Sequence, residues 1–417
     1  MQNRLFKLVT FLFVFTSINR EFAPLHIDLR LVMFPLAMCA LFLSLTKRNL
    51  LRAANCQVVP PKLPEVWLLL YHLVALLSNI AWLWNGLPLI KQSFYNLLIV
   101  FALNIAMVLL IMLNRANYGL DFIRNSIVIS VAFLAVSQFM VYLNIPIGIF
   151  LSDESVRVLQ AGGEHYNLYG QHFRVSGFAE DPNYACFFAV LGLISLFSTH
   201  VKFTVAKLSL SAVFMFAITL SWSRTIVFGS AAITLVLIIS QLLSLKSQSA
   251  CKVLCISITS FALMAPFVAS FLDLDFLQTV LTRFELWERA SLLFAKSPII
   301  GNGLSSFRSF NMSEVSGWYV HCHSTFWSVL AESGLLGLIC FLGSLYSVFN
   351  QDGNSFSRLS ATVFCLFCLN FDATYLQITY LILAVIPAAR CSSIERFSLS
   401  SMTGKPGNKP ELNCQRV

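Results

Sequence analysis

An all-α fold of about twelve membrane-crossing helices with two longer loops on one side follows from three features of this 417-residue sequence. It is 57% hydrophobic and 11% charged, where a soluble domain carries about 25% charged residues. Its mean hydropathy is +0.76. Its apolar residues fall in continuous runs of about 17 to 23, the length an α-helix needs to cross about 30 Å of hydrocarbon. These features exclude a water-soluble globule. A transmembrane β-barrel would alternate apolar and polar residues in segments of about ten, and these runs do not alternate.

In chain order, the first run, 5–18, has a basic start like a signal peptide. It lacks a small-x-small cleavage site and leads at once into another run, so it reads as an uncleaved anchor. Continuous apolar stretches bounded by polar or Pro-containing breaks then predict helices over 28–46, 65–85, 94–113 and 126–148. After a polar segment at about 149–182 come spans at 183–200, 203–221, 225–245 and 253–272. A second long segment, about 273–323, precedes a span at 324–349. The last runs, 359–370 and 372–389, read as a tight hairpin, because one continuous helix would bury Asn370 and Asp372 in mid-membrane. This divides the chain into N-terminal helices 1–148, a central region 149–349, a C-terminal hairpin 350–389 and a polar tail 390–417 without periodicity, expected to be disordered.

The net charge is +9. A nucleic-acid reading would need a basic face with stacking aromatics on a soluble module, so none is expected; the charge marks orientation in a lipid bilayer. With both termini cytoplasmic, Lys47, Arg48, Arg52 and Lys62 share one inner loop, and Arg390, Arg396, Lys405, Lys409 and Arg416 lie in the tail. Glu65, Asp121, Asp352, Glu395 and Glu411 are then the inner acidic residues, and both long loops face outward. Cys39, Cys186, Cys340, Cys365 and Cys368 sit inside apolar runs, and Cys56, Cys251, Cys391 and Cys414 at inner ends, so no disulfide framework follows. Cys365 and Cys368 have redox or metal spacing but no His or carboxylate beside them, and read as small packing residues.

Three outer segments end at a helix start. In the first, Asp181 is suited to cap a helix and Pro182 to its first turn, with Asn183 following. Exposed N–H groups there favour an anion, and Arg174 nearby would add a phosphate fork, or instead pair with Glu180 or Asp181 on the surface. In the second, Ser223-Arg224 puts an arginine at the positive end of a helix, where an anionic partner suits it better than snorkelling to lipid headgroups does. In the third, His321-Cys322-His323-Ser324 opens a run containing Glu332, Gly334 and Gly337. His323 could act as base or hydrogen-bond donor, or be satisfied by backbone carbonyls. No further His or carboxylate lies nearby at metal-ligand spacing. The glycines predict close helix packing, and Glu332 needs a buried partner. Within the second long loop, Arg283, Glu285, Trp287, Glu288 and Arg289 predict a short amphipathic helix on the outer surface. The Gly301-Asn302-Gly303 turn that follows is no nucleotide-binding loop, since no Gly-Lys-Ser or Gly-Lys-Thr accompanies it.

The ordered set Arg174-Val-Ser-Gly-Phe, Asp181-Pro-Asn183, Ser223-Arg224, Arg283 to Trp287, Pro298-Ile-Ile-Gly301-Asn-Gly303 and His323-Ser-Thr-Phe-Trp with Ala331-Glu332-Ser-Gly334-Leu-Leu-Gly337 resembles the bacterial O-antigen polymerase and O-antigen ligase superfamily. The resemblance covers about residues 174–345. It departs from the family's frequent His-Asn in having His323-Ser324, and His321 is an addition. It implies a metal-independent, cofactor-free glycosyltransferase of the inner membrane, acting on the periplasmic side on undecaprenyl-diphosphate-linked oligosaccharide. The acceptor is another glycan or lipid A core, and a chain-length regulator is a further implied partner. By motif match, Arg224 and His323 occupy the family's essential positions. Arg174, Arg224 and Arg283 would hold the diphosphate, and Asp181, Asn183, His321 and Glu332 would support the site. Polymerase is favoured around Asp181-Pro-Asn183, with ligase as the alternative. A non-enzymatic flippase would also suit twelve helices, but broken helices, midplane polar sites or related halves would then be expected, and the polar residues cluster at one face.

Overall fold

The computed structural model describes residues 2–19, 29–53, 63–84, 91–114, 119–143, 145, 175–179, 181–198, 204–221, 229–231, 247–269, 278–311, 321–350, 355–369, 371 and 377–388. Among them there is no β-strand. The helices are α1 (Gln2–Ile18), α2 (Leu29–Ala53), α3 (Leu63–Trp84), α4 (Lys91–Asn114), α5 (Leu120–Tyr142), α6 (Pro182–Phe197), α7 (Val205–Ser221), α8 (Ser247–Ala269), α9 (Gln278–Lys296), α10 (Ser306–Phe310), α11 (Thr325–Val348) and α12 (Ser355–Cys368). The last, α13, joins Gln377–Tyr380, a π-helical turn Leu381–Val385 and Ile386–Ala388. Its proline, Pro387, brings no N–H to the ladder, a local cause for the widened turn just before it.

Windows in α3, α5 and α11 are long and apolar enough to cross a membrane, and shorter apolar helices occupy α2, α4, α6, α7, α8 and α12. The last two apolar runs are separate helices, and the second long loop contains α9 and α10. The expected span 225–245 lies outside the described residues except 229–231, as do the tail from 389 onward and most of 149–182. Several boundaries differ from expectation: α2 runs to Ala53, not 46, α8 begins at Ser247, not 253, and α5 begins at Leu120, not near residue 126. Arg124 is buried, 3.4 Å from Asp121 and 5.4 Å from the centre of the Phe356 ring. Ion pairing one turn apart, with an aromatic face beside it, lets a charged turn continue the helix into the core.

The helices associate through small residues and polar bridges. α3 packs along α11, α2 along α4, and α5 against α1, α6 and α7. Gly343 of α11 faces the Trp67 ring, where an added Cβ would come within 2.6 Å of the indole. Asn114 donates to Ser44 Oγ at 2.8 Å (α4 to α2), Asn19 to Ser130 O at 3.1 Å (α1 to α5) and Trp327 to Ala262 O at 2.9 Å (α11 to α8). Buried serines such as Ser44, Ser130 and Ser195 return their hydroxyls to the carbonyl four residues back, so they enter the apolar interior satisfied. Cys365 packs at the α8–α12 contact, its thiol 3.7 Å from Cys255 O.

Candidate functional site

The first helix start forms as its residues dictate. Asp181 has extended backbone, its carboxylate accepts the Asn183 N–H at 2.6 Å, and Pro182 occupies the first turn of α6. Asp181 and Asn183 are half-buried. The chain before them is tied down: Val175 N–H donates to Leu220 O at 2.9 Å, and Phe178 N–H to Ser137 Oγ at 2.9 Å. Gln138 of α5 spans this junction, donating to Val175 O at 2.8 Å and Ser221 Oγ at 2.7 Å. Gly177 has φ +60°, and an added Cβ would lie 2.4 Å from Ser137 Oγ. Arg174 and Arg224 lie outside the described residues. Their described flanks, Val175 and the Leu220-Ser221 end of α7, are hydrogen-bonded neighbours.

His323 stands immediately before α11 in the left-handed region, φ +54°. Such a conformation costs about 1–3 kcal/mol and persists only where surrounding contacts over-determine it, although His adopts it more readily than most residues. Several contacts converge here. Cys322 is fully buried, Thr325 Oγ1 donates to Phe371 O at 2.7 Å, and the His323 ring meets the Phe371 ring at 83° with centroids 6.5 Å apart. Phe371 also lies 4.0 Å from the Tyr184 ring in α6 and stacks on Phe367 of α12. Phe371 thus joins the Asp181 helix start to the His323 turn. The His321 ring centroid is 6.5 Å from that of His323, and the Arg308 guanidinium lies against His321.

The Gly-Asn-Gly turn has a structural role. Asn302 N–H donates to Ala331 O at 3.2 Å and Gly303 N–H to Glu332 O at 2.9 Å. Leu335 and Leu336 N–H donate to Pro298 O and Ile299 O at 2.9 and 3.1 Å. Asn302 Nδ2 reaches Leu293 O and Ala331 O, and Leu304 N–H donates to Asn79 Oδ1 at 2.9 Å. This clasp corrects one expectation. Gly334 does not serve close helix packing; it is a non-helical kink inside α11, φ +66°, where a Cβ would lie 2.4 Å from Ile299 O. The kink redirects α11 amide groups to the loop, which sequence periodicity does not reveal. Gly337 does face another helix, 3.7 Å from Val74 of α3 when given a Cβ. Glu332 is buried and accepts the Phe307 N–H at 3.4 Å, the partner its depth required.

The amphipathic helix is longer than expected, the whole of α9. It buries Leu286, Trp287, Ala290 and Leu293 and exposes Glu285 and Glu288. Arg283 is half-buried on α9, and Arg289 donates to Asn311 Oδ1 at 2.9 Å. The structure therefore brings His323 and Tyr184 of the Asp181–Asn183 helix start together on Phe371, with His321 beside His323, while Arg283 lies on α9 and Glu332 in the clasp. Sequence reasoning missed Arg308, Phe371 and Gln138. A charged residue just after the Gly-Asn-Gly turn, and an aromatic between Asn370 and Asp372, were the available signals.

Residues 187–342, from early α6 to late α11, match the family model described as O-antigen ligase. The matched region contains Arg224, Arg283, His321, His323 and Glu332, and leaves Arg174, Asp181 and Asn183 just before it. A search of curated proteins gave no match. The match covers less than half of the chain, and it lies on a chain in which three of the described helices are long and apolar enough to cross a membrane.

Proposed function

We propose that this O-antigen polymerase/ligase-type membrane protein transfers an undecaprenyl-diphosphate-linked oligosaccharide to an acceptor glycan on the periplasmic side of the bacterial inner membrane, with both termini cytoplasmic. The family match over 187–342, which encloses the His323 turn, carries this reading. Arg174 and Arg224 hold the diphosphate, assisted by Arg283 and by the amide groups at the start of α6, where the helix dipole favours an anion. His323 accepts the proton of the acceptor hydroxyl as that oxygen bonds to the anomeric carbon. The bond from that carbon to the phosphate oxygen breaks, and the lipid diphosphate departs with its electron pair. One displacement inverts the anomeric centre. The guanidinium groups stabilise the leaving charge, so the step as written uses no metal or cofactor. Asp181, Asn183, His321 and Glu332 hold the site in shape.

Polymerase is the preferred assignment, from the Asp181-Pro-Asn183 resemblance, and ligase is the second reading because the matched family carries that description. A gel profile of surface and lipid-linked glycans in a strain lacking the gene separates them. Single repeats on the acceptor identify a polymerase, and long chains stranded on the lipid carrier identify a ligase. Arg224→Ala and His323→Ala should each reproduce the deletion profile at normal membrane abundance. An unchanged profile after deletion rejects glycan assembly, and full activity in both variants restores the flippase reading.

A further inference from the structure

His323 holds a positive φ, and beside it Arg308 meets His321, a pair to which the proposed chemistry gives no reacting role. Arg308 Nε donates to His321 Nδ1 at 3.1 Å, and its terminal Nη2 lies against the same ring. A guanidinium has only donors, so the imidazole it meets must present a lone pair. Both side chains are half-buried, which limits the water that could replace the contact.

The short helix that carries Arg308 is held through its neighbours. Its helix α10 follows the clasp directly. Phe307 N–H, the adjacent residue's amide, reaches Glu332, and Asn311 at the far end of α10 accepts from Arg289 of α9. The helix bearing the guanidinium is thus tied to α9 and α11, while His321 belongs to the chain entering the His323 turn. Between His321 and His323, Cys322 is buried and offers no slack. A side chain anchored at His321 therefore limits the rotation open to the backbone two residues later.

We propose that Arg308 and His321 form a positioning pair that holds His323 in its left-handed conformation, with its ring against Phe371. This rests on the reading of His323 as the base of glycan transfer. Arg308 and His321 touch no reacting atom in this account; they act through His323. On the other side of the turn, the Thr325 to Phe371 hydrogen bond fixes the start of α11. The turn is thereby clamped at both ends, and the Arg308 end is the one a single substitution releases without disturbing the α11 helix start.

The test is glycan-chain formation in the deletion strain carrying the full-length chain, normalised to protein in the membrane. Arg308→Ala and His321→Ala should each lower the rate about tenfold, the usual effect of losing one hydrogen bond to a charged group. Arg308→Ala/His321→Ala should fall no further than either single variant, because the two residues act as one unit. His321→Gln, which keeps an acceptor oxygen, and Arg308→Lys, which keeps a donor, should recover most of the loss. A purely structural role would instead lower membrane abundance and leave the normalised rate unchanged. Multiplying losses in the double variant, or normalised wild-type rates in both alanine variants, overturn the pair. His323→Ala runs in parallel. If it is fully active the reading of the base fails, whereas an inactive His323→Ala beside fully active Arg308→Ala and His321→Ala variants defeats only the positioning pair.

Discussion

Gly334→Ala is the substitution whose cost the structure defines best. Gly334 has φ +66° and ψ −169°, a region essentially reserved for glycine. A side chain there costs about 1–3 kcal/mol in backbone strain alone. The added Cβ would also lie 2.4 Å from Ile299 O and 2.5 Å from Gly301 N, both backbone atoms that a rotamer change cannot move aside. Withdrawal of that loop segment threatens the Leu335 and Leu336 bonds to Pro298 O and Ile299 O, each contributing about 1 kcal/mol. The sum is about 3–5 kcal/mol, corresponding to about 5 °C or more of lost thermal stability on the scale of large soluble domains. Gly119→Ala is the control, because nothing lies within 4 Å of its would-be Cβ and its φ is −89°. Thermal unfolding of the detergent-solubilised chain, followed by loss of the monodisperse peak, compares the two. If Gly334→Ala melts with the wild type and Gly119→Ala, the clasp does not hold α11 as described.

Two further perturbations follow the same logic. Asp181→Ala removes the cap on Asn183 N–H and should cost about 1 kcal/mol of stability, with Asp181→Asn recovering most of it; equal melting of the alanine variant would discount the cap. Gln138→Leu removes the bonds to Val175 O and Ser221 Oγ and leaves both groups buried, a loss of about 2–4 kcal/mol read by thermal unfolding, with glycan transfer falling because the flanks of Arg174 and Arg224 separate. Unchanged melting and unchanged transfer would show that the junction needs no bridge.

The sequence made legible what depends on neighbours along the chain. Continuous apolar runs located α3, α6, α7 and α11 within a few residues, because a membrane-crossing helix satisfies its backbone internally and signals itself by composition. The Asp181-Pro182 start was readable because capping is a contact across two residues. The start of α5 was misplaced because the ring that shields Arg124, Phe356, lies far away in sequence on α12. The kink at Gly334 was hidden for the same reason, since the groups that receive its redirected amides belong to the 298–303 loop. Phe371 reads as a polar-flanked loop residue until Tyr184, Phe367 and His323 are seen around it. Arg308 likewise acquires meaning only from His321, thirteen residues on.

The most direct test of the central claim uses the purified full-length chain and the lipid-linked saccharide that accumulates in the deletion strain. Release of undecaprenyl diphosphate and growth of the acceptor glycan are followed together. The wild-type chain should produce both in equal amounts, and His323→Ala should slow both by about a hundredfold or more, the usual contribution of a positioned general base. Equal rates for the two proteins would contradict the assignment of His323 and, with it, the account of the turn that holds it.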